Sequence, residues 1–126
     1  MTLLAAARAA YGAPSAPTRT PRALEYEAFA RVTARIKTAA ARGKPGFYDL
    51  AFALHDNRRL WTTLAADVAE SGNGLPQGLR AQLFWLCDFT DQHSAQVLDG
   101  KADAGVLVEI NTAVMRGLRG DAGGAG

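Results

Sequence analysis

Few side chains in this sequence stand where they could do chemistry. Its two histidines, His55 and His93, fall in separate helix-patterned segments. Neither has the His-x-x-x-His or Glu-x-x-His spacing that brings two metal ligands onto one helix face. The single cysteine, Cys87, stands among Leu83, Phe84 and Leu86, where a thiol behaves as a small buried hydrophobe rather than an activated nucleophile. The run SGNG at 71–74 lacks the lysine and the strand-to-helix setting of a phosphate-binding loop. No catalytic or metal-binding constellation emerges and no cofactor is implied, so the expected role is non-enzymatic.

The polar residues that need an explanation are Asn57 and Arg58, in HDNRRLWTTL. Around them Phe47, Leu50, Leu54, Trp61, Leu64 and Val68 recur at steps of three and four, the spacing that lines one helix face with apolar side chains, and Asn57 and Arg58 fall on that face. A polar residue in one layer of a helix seam can fix register and orientation. Asn111, also flanked by apolar positions, is a candidate to hydrogen-bond Asn57 across a bundle. Alternatively this layer faces a partner, with Arg58 meeting a carboxylate or a helix C-terminus. Asn57 is read as structural, and Arg58 and Arg59 as solvent-facing or partner-facing.

The elements that must position these residues are helices. YGAPSAPTRTP reads as an extended linker after a short helix or arm near 3–10. Thr20 is a good cap for a helix beginning at Pro21, where a missing amide hydrogen does no harm. In that helix Leu24, Ala28, Phe29, Val32, Ile36 and Ala40 repeat helically, with Glu25 and Glu27 early and Lys37 and Arg42 late, as the helix dipole favours. Gly43 to Gly46 breaks the pattern, and the next helix covers about 47–70. SGNGLP is a turn, with Pro76 placed to start a helix over about 76–98. That helix has one face through Leu79, Leu83, Leu86, Thr90, His93 and Val97, and an adjacent ridge of Trp85 and Phe89 at i, i+4. Asp103 is a good cap for a last helix carrying Val106, Leu107, Ile110, Val114 and Leu118.

No segment alternates with period two. The fold class is therefore all-α, a small bundle of four main helices plus a short N-terminal helix or arm. The division is an arm and Pro-rich linker at 1–20, a helical domain at 21–119 and a tail at 120–126 with nothing to bury.

Composition sets the compartment and the partners. A chain of 126 residues, 48% hydrophobic, suits one domain with a modest core, and no apolar run is long enough to cross a bilayer. The opening MTLLAAARAAYGAPSA lacks the basic start of a signal peptide, and Arg8 interrupts its apolar run. One cysteine permits no internal disulfide, which fits a reducing, cytoplasmic setting. The net charge of +2 hides eight Lys/Arg against Glu25 and Glu27 up to Lys44, followed by ten acidic residues against six basic ones. The basic residues are spread through an apolar helix rather than clustered, which favours an internal or protein-partner role over direct nucleic-acid contact.

The order of particular residues carries a resemblance. Asn57, Leu60 and Trp61 are followed by Asp67, Asn73, Leu75, Pro76, Leu79, Arg80 and Ala81. Val97 and Gly100 come next, and then Ile110, Asn111, Met115, Gly117 and Leu118. Upstream, Pro21, Arg22, Glu25, Phe29 and Val32 match more loosely. In this order the sequence resembles the bacterial flagellar biosynthesis regulator family FlaF, departing from it at FWLCDFTD, 84–91. The resemblance implies a cytoplasmic, flagellin-binding chaperone or secretion factor linked to a second regulator, FlbT. Its alternative is a post-transcriptional regulator of flagellin synthesis acting on mRNA directly or through FlbT, which the common RNA-binding modules do not support.

Flagellin's terminal segments, unassembled, are partly disordered strings with apolar stripes, and a small bundle can cover such a stripe with a groove for an amphipathic helix. The expected groove joins Trp85 and Phe89 to the Phe29, Val32 and Ile36 stripe, with core packing the competing role for the same aromatic residues.

Overall fold

The computed structural model describes residues 21–70 and 76–119. The expected arm at 1–20, the Thr20 cap, the turn at 71–75 and the tail at 120–126 lie outside the described residues. Those described form four α-helices and no strand: α1 (Pro21–Ala41), α2 (Phe47–Ala69), α3 (Gln77–Leu98) and α4 (Gly105–Arg119).

Each junction has a local cause. Between α1 and α2 the chain makes a 3-10 turn over Lys44–Gly46. Gly43 adopts a left-handed φ of 65°, and a Cβ on Gly46 would lie 2.3 Å from the Ala39 carbonyl oxygen, so both positions call for glycine. Pro76, with φ −58° and ψ 146°, sits just outside α3 rather than as its first helical residue. α3 ends in a Schellman motif: Gly100 has φ 76°, its N–H donates to Val97 O at 3.0 Å, and Lys101 N donates to Gln96 O at 2.8 Å. Asp103 Oδ1 then accepts the Gly105 N–H at 2.9 Å, capping α4.

Side-chain pairs fix the directions of the helices. Arg42 pairs with Asp49 and Arg35 with Asp56, so position falls along α1 as it rises along α2 and the two run antiparallel. Arg58 to Asp91 and Arg80 to the Val68 carbonyl do the same for α2 and α3. Arg42, expected to serve the α1 dipole, lies one residue past that helix and holds α2 instead. α1 packs closely against both α2 and α4, α3 lies along α2, and α3 meets α4 only briefly, while α1 and α3 make no close backbone approach.

The core is built from the 3–4 periodicities. Ile36, Ala53, Leu54, Val97, Ala104 and Leu107 form one buried cluster, flanked by Val32, Leu50 and Val108. Next to it Phe29 meets Trp61 edge to face, with ring centroids 5.7 Å apart, an arrangement the ring quadrupoles favour. Two residues of the expected α2 stripe do not belong to it: Phe47 is 43% exposed, and Arg58 lies at the exposed edge of the seam with its guanidinium on Asp91. Among the described residues, no helix is long and apolar enough to cross a membrane.

Candidate partner-binding surfaces

Asn57 and Asn111 are at the centre of the bundle and not at a surface. Asn57 is fully buried and Asn111 nearly so. Asn111 Nδ2 donates to Asn57 Oδ1 at 2.8 Å and to Thr33 Oγ1 at 3.0 Å, while Asn111 Oδ1 accepts the Trp61 indole hydrogen at 2.9 Å. One amide thus ties α4 to α1 and α2. Such a knot specifies one register, since a slipped helix would leave several buried polar groups unpaired.

The ridge foreseen on α3 extends further than two residues. Trp85 stacks on Phe89 with centroids 5.5 Å apart and an interplanar angle of 18°, and Phe89 stacks on His93 at 5.2 Å and 20°. His93 Nε2 lies 2.9 Å from the Asp103 carbonyl oxygen, fixing the ladder at the end nearest α4. The three rings follow i, i+4, i+8 along one helix edge. The other end is open, with Trp85 63% exposed. The reason is architectural: the buried residues of α3 are Thr90, Ser94 and Val97, all in its second half, and among the described residues α2 is its main helical neighbour, with α4 met only briefly.

Phe29, Val32 and Ile36 do not share that surface. Phe29 and Ile36 are wholly buried and Val32 is half-buried against the core, because α1 sits between α2 and α4 and spends its apolar stripe on both. The expected groove joining this stripe to Trp85 and Phe89 is therefore corrected: the stripe is interior, while Trp85 is exposed and Phe89 half-buried.

A second surface lies on α2. Tyr48, Phe52, His55, Arg59, Thr62 and Ala66 follow steps of four and three on the face opposite the buried one, and all are exposed. Tyr48 is 77% and Phe52 65% exposed. Alongside, His55, Arg58, Arg59, Thr62, Thr63 and Asp91 line an open groove of ≈ 480 Å³ between α2 and α3. Sequence reasoning expected Arg58 and Arg59 to face solvent or a partner, and both are exposed; it missed Tyr48 and Phe52, although the spacing 48, 52, 55, 59 was a usable signal.

The remaining reactive groups are quiet. Cys87 is half-buried with Sγ 3.6 Å from the Trp61 carbonyl oxygen. Burial, and then the Asp88 and Asp91 carboxylates, push its thiol up from 9.0, away from the thiolate. Among the described residues, no three His, Cys, Asp or Glu gather to hold a metal ion.

A family model described as flagellar protein FlaF matches residues 7–118. The chain belongs to the FlaF family. Comparison with curated proteins and with solved structures gives no match. The FlaF match runs through α1, α2 and α3 and nearly to the end of α4, so it takes in the Asn111 knot, the aromatic ladder and the outer strip of α2.

Proposed function

We propose that this FlaF-family protein is a flagellin-binding chaperone that acts in the cytoplasm before export, by binding and not by catalysis. A flagellar role follows from the family. The observation that carries the finer reading is the α3 ladder. A bundle that needs α3 only for its Thr90, Ser94 and Val97 side would be expected to place polar residues on the remaining surface; here Trp85, stacked on Phe89, is 63% exposed. Large aromatic residues held out of the core and rigidified by stacking are the side chains that serve as hot spots in helix-in-groove recognition. An unassembled flagellin terminus with an apolar stripe is a suitable occupant.

The test is co-elution of the purified protein with flagellin. Trp85→Ser leaves the helical circular dichroism unchanged, because the ring is mostly in solvent, and weakens flagellin binding about tenfold or more, the loss of one hot spot. Normal flagellin binding by Trp85→Ser would remove the ladder from the proposal. Steeply salt-sensitive binding to the flagellin mRNA leader, with none to flagellin, would replace it with the translational reading.

A further inference from the structure

The outer strip of α2 is a separate surface from the α3 ladder. Asp91, which meets Arg58 at the α2 groove, is two residues from both Phe89 and His93, about 200° around the helix from each at 100° per residue. The groove and the ladder therefore open on opposite sides of α3.

Charge on α2 is sorted in a way that identifies what the strip would accept. The acids beside the strip face α1 and are neutralised there, Asp49 by Arg42 at 2.6 Å and Asp56 by Arg35 at 2.7 Å. The groove side carries His55, Arg58 and Arg59, against Asp91 alone. Asp91 engages Arg58, and Arg59, whose charge reaches the Asp56 carboxylate only at a distance, makes no salt bridge of its own among the described residues. Thr63 is turned to the Arg59 carbonyl oxygen at 3.0 Å, so its hydroxyl does not compete for an incoming anion. At the N-terminal end of the same strip are Tyr48 and Phe52, among the most exposed large apolar side chains of the protein, with Phe47 edge-on to Tyr48 at 5.8 Å.

We infer that this strip docks an acidic amphipathic helix of a partner protein, whose apolar side chains pack on Tyr48 and Phe52 and whose carboxylates meet Arg59 and the Arg58 edge of the groove. The 3–4 spacing from Tyr48 to Thr63 covers about 22 Å at 1.5 Å per residue, a length that matches about four turns of a partner helix. Two aromatic anchors beside a short basic segment suit a helix better than a phosphate backbone, which needs a longer run of cations. The inference stands apart from the flagellin reading, since it concerns different residues and a different face.

The test uses the full chain and three probes: an 18-residue amphipathic peptide with leucines at i, i+4, i+7 and glutamates on its polar positions, the same peptide with lysine for each glutamate, and a single-stranded RNA of similar length. Binding is followed by amide chemical-shift changes. The acidic peptide is expected to shift signals along 48–63 and to bind at least tenfold more tightly than the lysine peptide. Arg59→Glu and Phe52→Ser, both at exposed positions, are each expected to weaken it about tenfold without changing the helical circular dichroism. Trp85→Ser is expected to leave it unchanged. Equal binding of the two peptides, no binding of the acidic one, tighter binding of the RNA, or shifts confined to α3 would each overturn the inference. Flagellin co-elution of Phe52→Ser and Arg59→Glu, retained while Trp85→Ser loses it, separates failure here from failure of the chaperone reading.

Discussion

Trp61 and Asn111, 50 residues apart in sequence, are joined by an indole-to-amide hydrogen bond of 2.9 Å, with each residue only 1% exposed. The bond lets the largest ring of the core be buried with its one polar atom satisfied. It also commits the Asn111 amide group: with its oxygen on the indole, its nitrogen is left to donate to Asn57 and Thr33. The bulkiest apolar contact of the bundle and its polar knot are therefore one unit.

Replacing Asn111 by Ala removes that unit's hub. The Trp61 indole hydrogen and Asn57 Oδ1 are left buried and unpaired, each at about 1–3 kcal/mol. Urea unfolding of Asn111→Ala is expected to show a loss of roughly 2–5 kcal/mol at nearly unchanged m-value. In a cycle with Trp61→Phe the two losses are expected to be less than additive by about 1 kcal/mol or more. Strict additivity would mean that the two side chains do not act together.

Phe29 and Ile36 give the matching test for the apolar part. Both are fully buried, and Phe29 lies edge-on to Trp61. Phe29→Ser or Ile36→Ser leaves a cavity and a stranded hydroxyl, with an expected cost of about 3–5 kcal/mol. Circular dichroism and thermal melting check it. Parent-like melting of either variant would return these residues to the surface.

How much of this was legible in the sequence depended on which neighbour each face met. The helix boundaries were legible because Gly43, Gly46, Pro76 and Asp103 are local signals, and the Asn57 to Asn111 pairing because two amides interrupted two apolar faces. The fate of the Phe29 and Ile36 stripe was not. Periodicity says that a face is apolar but not how many helices cover it, and α1 is covered by both α2 and α4. For the same reason Phe47 looked like core. It opens α2 at 43% exposure, edge-on to Tyr48, and the outer spacing of Tyr48 and Phe52 is masked in the sequence by the stronger apolar stripe behind it.

The Arg35 to Asp56 pair makes a pH prediction. The hydrogen bond from Arg35 is the main cause holding the Asp56 carboxyl below its ordinary 3.8. A carboxylate with a depressed folded-state pKa adds stability above its unfolded value, and that stability is lost as pH falls through the folded one. Arg35→Gln is expected to bring the Asp56 carboxyl 13C titration back up toward 3.8. Its stability deficit is expected to be present at pH 6 and to close as pH drops below 3.8. The pair is exposed, so the deficit should not exceed about 1 kcal/mol. A deficit that persists unchanged at pH 2 would point to lost packing of the arginine stem instead.

The last prediction concerns the mobility of α3. Its buried residues lie between Thr90 and Val97, while its first half exposes Leu79, Phe84 and Trp85. That half is held to α2 by the Arg80 Nε hydrogen bond to the Val68 carbonyl at 3.0 Å and by the half-buried Leu83, Leu86 and Cys87 side chains. Little apolar burial against one neighbour means a low local opening free energy. Amides of 81–87 are therefore expected to exchange at least tenfold faster than those of 90–97 under native conditions, and Arg80→Ala is expected to speed the first group while leaving the second unchanged. The gradient matters for function because a ladder whose open end sits on the less stable half can adjust to a docking helix, while Phe89 and His93 stay anchored beside Asp103. Uniform protection along α3 would mean that the ladder is a rigid surface, and under the proposed function a flagellin segment would have to fit it as it stands.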